Sequence, residues 1–240
     1  MNILMIDTSG PACGAAIVKD GALCYEAELS VGMTHSQRLM PMVDAALCMT
    51  GMKMEEIDLF GAVVGPGSFT GVRIGVSTVK ALAHAMGRPC IGIDALEALA
   101  ANIPAFDGVV CPILDARAQQ VYGAMFEAGM PPVRLMEDEA QKLTAFLDRV
   151  QAEGREAMFV GDGVAVSEKA IRERLGDRAH FAPAAHRGLR AGCAAMLAQA
   201  YAQEKAQDYI TLLPLYLRAP QAERERAAKE AAREAAKANG

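Results

Sequence analysis

No run of apolar residues in this chain is long enough to cross a membrane. The longest, such as residues 59–66, fall far short of the roughly 20 residues a spanning helix needs. The N-terminus has no basic flank and meets Asp7 after a short apolar run, so it predicts a buried strand and not a signal peptide. The six cysteines (13, 24, 48, 90, 111 and 193) include no Cys-x-x-Cys pair. Scattered thiols of this kind predict free core cysteines in a reducing compartment. The four histidines (35, 84, 180 and 186) contain no i,i+4 pair, and with no clustered Cys or His there is no zinc site to expect. Basic excess is missing too: 24 Lys and Arg stand against 29 Asp and Glu, for a net charge of −5. Independent nucleic-acid binding would call for the opposite balance, because phosphate neutralisation supplies most of such affinity. These absences together predict a cytoplasmic protein with no metal and no membrane contact.

What is present is the composition of a globular protein. The chain has 240 residues, 52% hydrophobic and 22% charged, enough for one large core or two small ones. Residues 2–7, 12–18 and 22–30 read as strands, the last two joined by Asp20-Gly21, a hairpin signal. A helix follows at 35–50, with Leu39, Met42, Val43, Ala46 and Leu47 on one face. Thr34 and Gln37 have capping-box spacing at its start, and Pro41 predicts a kink within it. A buried strand at 59–65, a glycine-rich turn, a helix at 70–86 stopped by Gly87 and Pro89, a strand at 90–93 and a short helix at 94–102 complete the first half. The layer pattern is mixed α/β.

The second half starts as the first does. Val109–Leu114 ends in Asp115 as Ile3–Ile6 ends in Asp7, each acid leading into a polar turn and a strand with a glycine, Gly14 or Gly123. This predicts a duplicated α/β unit, divided as an N-terminal lobe over 1–103 and a reduced lobe over 104–218. Residues 219–240 form a charged, Ala-rich tail, helical or disordered. Glu225 with Lys229, and the pairs Glu230–Arg233 and Glu234–Lys237, would each add about 0.2–0.5 kcal/mol to a solvated helix.

Two loops carry the chemistry. Asp7, Thr8 and Ser9 make a hydroxyl-rich turn at a strand end. Such a turn can donate to phosphate and hold metal-bound water, or it can satisfy only its own backbone as an Asx or Ser/Thr turn. The second loop runs from Gly65 to Gly71 and on through Val72, Arg73 and Ile74 to Gly75. Thr70 occupies the position where a P-loop or a dinucleotide fingerprint requires glycine, and Pro66 and Thr70 stand where a nucleophile elbow around Ser68 requires glycines. Ser68 is better placed as a helix cap, which argues against a peptidase. Gly71, Gly75 and Thr78 fall near one face of the following helix, with Val72, Val76, Val79, Ala83 and Met86 beside them. The earlier helix carries Met40, Ala45, Cys48 and Met49 off its core face. Helices apolar on more than one side are buried on more than one side, either by a partner or by the second half of the chain.

Ile6 to Ser9, His35 to Pro41, the loop at 65–75, Leu114 to Arg117 followed by Val121-Tyr122, and Pro214 to Arg218 together resemble the TsaB (YeaZ) family in order and spacing, over about residues 1–218. The resemblance implies an actin-like/Hsp70-like (ASKHA, RNase H-like) fold of two duplicated α/β lobes. It implies a non-catalytic paralogue of TsaD, the subunit that transfers threonylcarbamoyl to the adenosine 3′ of the anticodon in tRNAs reading ANN codons. In TsaD a His-x-x-x-His pair binds the metal; the corresponding stretch here is Ala95 to Leu99, with both ligand positions aliphatic. The second-lobe nucleotide loop corresponds to Gly161, Asp162 and Gly163, where an added carboxylate would repel phosphate. The implied partners are TsaD and the ATPase TsaE, with a homodimer when alone and tRNA met only through the complex. The implied interface takes His35, Arg38, Leu39 and Met42 from one helix and Gly65, Pro66, Gly67, Ser68, Phe69, Thr70, Gly71, Arg73, Gly75 and Thr78 from the loop and the other. No tightly bound cofactor is implied, with ATP or ADP a candidate at the junction with the partner and Asp7, Thr8 and Ser9 the residues to hold it. The competing reading is an ATP-dependent phosphotransferase of the same superfamily.

Overall fold

A computed structural model describes residues 1–31 and 34–218; the tail expected at 219–240 lies outside the described residues. The opening run forms β1 (Ile3–Asp7), buried at every position. It reads as continuous apolar sequence because both of its faces are covered. β2 (Cys13–Lys19) and β3 (Ala22–Leu29) follow as antiparallel neighbours. Asp20 and Gly21 between them take φ of 49° and 88°, the left-handed pair that a tight hairpin turn requires.

Helix α1 (His35–Thr50) has the expected bounds, with Pro41 inside it, where the ring removes one backbone hydrogen bond. The expected capping box does not form. Thr34 makes no side-chain cap; its hydroxyl accepts from Ser36 Oγ at 3.3 Å instead. β4 (Leu59–Gly65) and α2 (Phe69–Met86) come next, the helix ending at Gly87 with φ 60°. β5 (Cys90–Asp94) and α3 (Ala95–Ala100) close this half, and the Asp94 carboxylate caps α3 by accepting from Glu97 N–H at 2.7 Å.

The second half supplies β6 (Val109–Asp115), β7 (Gln120–Glu127), β8 (Val133–Lys142), α4 (Leu143–Glu153), β9 (Ala157–Val160), α5 (Gly163–Leu175), β10 (Ala179–Phe181), α6 (Ala184–Arg187) and α7 (Ala191–Lys205). Its sheet runs β8-β7-β6-β9-β10, and the first runs β3-β2-β1-β4-β5. Each is an antiparallel meander continued by two parallel strands. The repetition is the duplicated α/β unit, and the fold is the actin-like two-lobed α/β class.

Side-chain alternation along the strands sorts the core into layers. Leu4, Ile6, Ile17 and Phe60 face α1 and α2. Val109, Cys111 and Ile113 face α4 and α5. Ile3, Met5, Val18 and Ile93 from one sheet and Val110, Leu114 and Phe126 from the other meet across α3 and α7 in the middle.

Chain order and lobe membership part company at the C-terminal end. Residues 191–218, drawn with the second lobe from the sequence, return to the first. α7 packs on β1, β2, β3 and β5, and its Ala191, Ala194, Ala195 and Ala198 are small enough to lie close to the sheet. Residues 206–218 then run as a strap over the first lobe. Gln207 pairs with Cys90 in both directions, and Leu215 N–H donates to Val64 O at 2.7 Å. The strap ends at the second lobe, where Arg218 Nη1 donates to Ala116 O at 3.1 Å. Among the described residues no helix is long and apolar enough to cross a membrane.

Candidate functional site

A cleft of about 730 Å³ opens between the lobes. The first lobe contributes Ser9 to Pro11, His35 and residues 66–70; the second contributes Leu114 to Arg117, Tyr122 and Asp162; the strap closes it with Leu215 to Arg218. Two β-strand ends, those of β1 and β6, therefore face each other across the duplication.

Asp7, Thr8 and Ser9 are buried, and only Ser9 reaches the cleft wall. The turn is folded on itself. Asp7 Oδ1 accepts from Ser9 N–H at 2.8 Å and from Ser9 Oγ at 2.7 Å, and Thr8 Oγ1 donates to Gly71 O at 2.7 Å. Burial pushes the Asp7 carboxyl above its ordinary range, against the pull of the two Ser9 bonds and of His35. This is the backbone-satisfying form of the turn, and neither Asp7 nor Thr8 lines the cleft.

The loop glycines are explained by the same turn. A Cβ on Gly71 would overlap the Thr8 carbonyl oxygen, one on Gly67 would overlap that of Ser9, and one on Gly75 would stand 2.6 Å from Thr8 Oγ1. Gly65, with φ 113°, passes Leu215 O so closely that a Cβ there would lie 2.6 Å away. Ser68 caps α2, its Oγ accepting from Gly71 N–H at 3.2 Å, so its hydroxyl is occupied structurally.

These contacts correct part of the expected interface. Leu39 and Met42 belong to the core behind the first sheet, and Gly65, Pro66, Gly71 and Gly75 are buried. The missing side chains of the three glycines make room for Leu215 and Thr8 of the same chain, and of these six positions only Pro66 reaches the cleft wall. Ser68, Thr70 and Arg73 are exposed, and His35, Arg38, Gly67, Phe69 and Thr78 are half-buried. Met40, Cys48 and Met49 are exposed on α1, with Met49 at 78%.

Sequence reasoning placed Phe69 and Arg73 in the expected interface but did not join them to Tyr216. The Arg73 guanidinium lies 3.9 Å over the Phe69 ring and its Nε donates to Tyr216 OH at 2.8 Å; the two rings are 4.6 Å apart. Only the pairing of the strap with β4 brings Tyr216 here, and nothing local in the sequence announces it.

On the facing wall, Asp162 Oδ1 accepts from Asp115 N–H at 3.0 Å, and Asp115 Oδ1 accepts from Arg117 N–H at 2.8 Å. Burial raises the Asp162 carboxyl, against the pull of the Asp115 and Gly163 N–H groups and helped by the Asp115 charge. Arg117 of the same wall and Arg218 of the strap line the cleft beside these two acids, so its charge is mixed. In the middle layer, Ala95 and Leu99 of α3 are fully buried. They offer no ligand atom, so the residues present do not fit the metal of the catalytic paralogue. Among the described residues no group of three or more His, Cys, Asp and Glu is placed to hold a metal ion.

Comparison with known proteins agrees with this architecture. The family model of TsaD, tRNA N6-adenosine threonylcarbamoyltransferase, matches residues 30–226. The tRNA threonylcarbamoyladenosine biosynthesis protein TsaB of Bacillus subtilis is 33% identical over 224 residues, covering 93% of this chain and 96% of that protein. TsaB of Escherichia coli is 37% identical over 129 residues, 53% of this chain and 55% of its own length. Among solved structures, YeaZ from Pseudomonas aeruginosa superposes with a TM-score of 0.74 at 25% identity, covering 90% of this chain and 99% of that one. On these grounds the chain belongs to the TsaB (YeaZ) family of tRNA threonylcarbamoyladenosine biosynthesis proteins.

Proposed function

We propose that the chain is a non-catalytic scaffold subunit in the cytoplasmic transfer of threonylcarbamoyl to tRNA adenosine, acting by pairing with TsaD and helping to recruit the ATPase TsaE. The observation that carries this reading is α3. Where the catalytic paralogue has its histidine ligands, this helix puts Ala95 and Leu99, both fully buried among apolar neighbours. The Asp7 carboxyl, engaged by Ser9 and absent from the cleft wall, supports the same reading. Met40 and Cys48 on one side of α1, Met49 on its other flank, and Thr70 and Arg73 on α2 leave exposed surface for the partner. Methionines suit such a surface because they adapt to the shape opposite.

The test is reconstitution. The purified chain alone, given tRNA and threonylcarbamoyl-adenylate, should form no modified nucleoside; adding it to TsaD and TsaE from the same cells should raise formation well above that of those two proteins alone. Product from the chain alone, or no dependence on it, overturns the reading. The competing phosphotransferase is favoured by the cleft itself, and steady ATP turnover by the isolated chain would establish it.

A further inference from the structure

We propose that Arg134 clamps the two lobes together by holding one carboxyl from each, Asp94 of β5 and Asp138 of β8, and so fixes the opening of the cleft. Asp94 ends the last strand of the first sheet, while Arg134 and Asp138 lie on the edge strand of the second. Arg134 Nη2 stands 3.4 Å from Asp94 Oδ1, and Arg134 Nη1 donates to Asp138 Oδ1. The three side chains are only 14%, 25% and 9% exposed for Asp94, Arg134 and Asp138. The guanidinium also lies 4.6 Å over the Phe126 ring, which fixes its plane.

The strand is built for this contact. β8 pairs with β7 through two register shifts, and a bulge re-aims side chains that strict alternation would send elsewhere. Met136 and Glu139 face α4, where Arg149 reaches both. Arg134 and Asp138 turn the other way, to the middle layer. The same bulges and the charge at this edge discourage a further strand from adding to it.

The surroundings keep the charges balanced. On α3, Glu97 accepts from Tyr201 OH of α7 at 2.6 Å, and its backbone N–H is held by Asp94. Burial and the hydrogen-bonded Asp138 push the Asp94 carboxyl well up, against the pull of the Glu97 N–H and of Arg134. One guanidinium lies against both acids, and its charge offsets the repulsion that two carboxyls this close would otherwise feel. The planar fork of arginine can hold both acids at once; a lysine ammonium has no such fork. Proteins that work by hinge closure need lobes free to rotate. Here a side-chain bridge joins the two sheets, and it does so whether or not the chain serves as a scaffold.

The experiment is pulsed dipolar EPR on the full chain, with spin labels at Met49→Cys in the first lobe and Val166→Cys in the second. Both positions are well exposed, at 78% and 70%, and the exposed Cys24 and Cys48 are changed to Ser. The expected result is one narrow distance distribution, unmoved by MgATP. Arg134→Met, which keeps the stem over Phe126, should broaden it or shift its mean, and Arg134→Lys should broaden it less. Asp94→Asn keeps an Oδ1 acceptor for both the Glu97 N–H and Arg134 and should leave it narrow. A folded Arg134→Met protein with the unchanged narrow distribution overturns the proposal, as does a parent distribution that is broad or moves with MgATP. Should Arg134→Met fail to fold, an unchanged distribution in both Arg134→Lys and Asp138→Ala overturns it equally.

Discussion

Thr8 and Gly71 are interlocked: the Thr8 hydroxyl donates to the Gly71 carbonyl at 2.7 Å, while the missing Gly71 side chain leaves room for the Thr8 carbonyl. The start of α2 is therefore fastened to the end of β1 by two backbones that a single methyl group would separate.

Gly71→Ala should destabilise the protein. An alanine in a helix interior is favoured over glycine by about 0.8–1.0 kcal/mol, but overpacking costs roughly 1–3 kcal/mol. The clashing atom is a backbone carbonyl that cannot swing aside, so the loss wins. Urea unfolding of the variant should give a lower midpoint with an unchanged slope.

Gly75→Ala and Thr8→Ala should be non-additive. The new Cβ at position 75 would stand 2.6 Å from Thr8 Oγ1, so each single change should destabilise. Removing the hydroxyl relieves the clash, and the double variant should be more stable than the sum predicts by about 1 kcal/mol, within the usual range for residues in contact. A double-mutant cycle by chemical denaturation measures this directly.

Stability should fall as pH rises, through Asp94. In the unfolded chain this carboxyl ionises near ~3.9, whereas burial and Asp138 raise its folded value well above that. Between the two values the folded state binds more protons, so its contribution to stability is full below the unfolded value and is lost as pH climbs through the folded one. Asp94→Asn should flatten that part of the stability profile, as read by melting temperature against pH.

Met49→Asp and Met40→Asp should leave folding nearly intact and disrupt assembly. Both side chains are exposed, at 78% and 39%, so stability should move by no more than about 0.5 kcal/mol. On the proposed face, each buried charge should weaken the pairing with TsaD by roughly tenfold or more, equivalent to about 1.4 kcal/mol. Titration calorimetry checks the affinity, and slower alkylation of exposed Cys48 than of exposed Cys24 in the complex checks the location.

Much of the fold was legible because its signals are local. β1 and β4 are continuous apolar runs, Asp20-Gly21 spells its own turn, and Gly87 stops α2 with φ 60°. The Thr34–Gln37 spacing was equally local and still failed, because the Thr34 hydroxyl found Ser36 first. In the cleft, the ends of β1 and β6 were readable as matching strand-acid turns. The use of Gly71 and Gly75 was not, since a bare helix stripe looks the same whether a partner or Thr8 fills it. Arg73 with Tyr216, and Arg134 with Asp94, depend on how distant strands are registered, and no periodicity carries that information.

The return of α7 to the first sheet has a consequence for how the protein is made. While residues 1–103 leave the ribosome, α1 and α2 can cover one face of their sheet, but the face carrying Met5 and Val18 waits for α7. The first lobe is thus the earlier one synthesised and the later one able to close. Until residue 205 is out of the exit tunnel, that face stays open to chaperones and to aggregation.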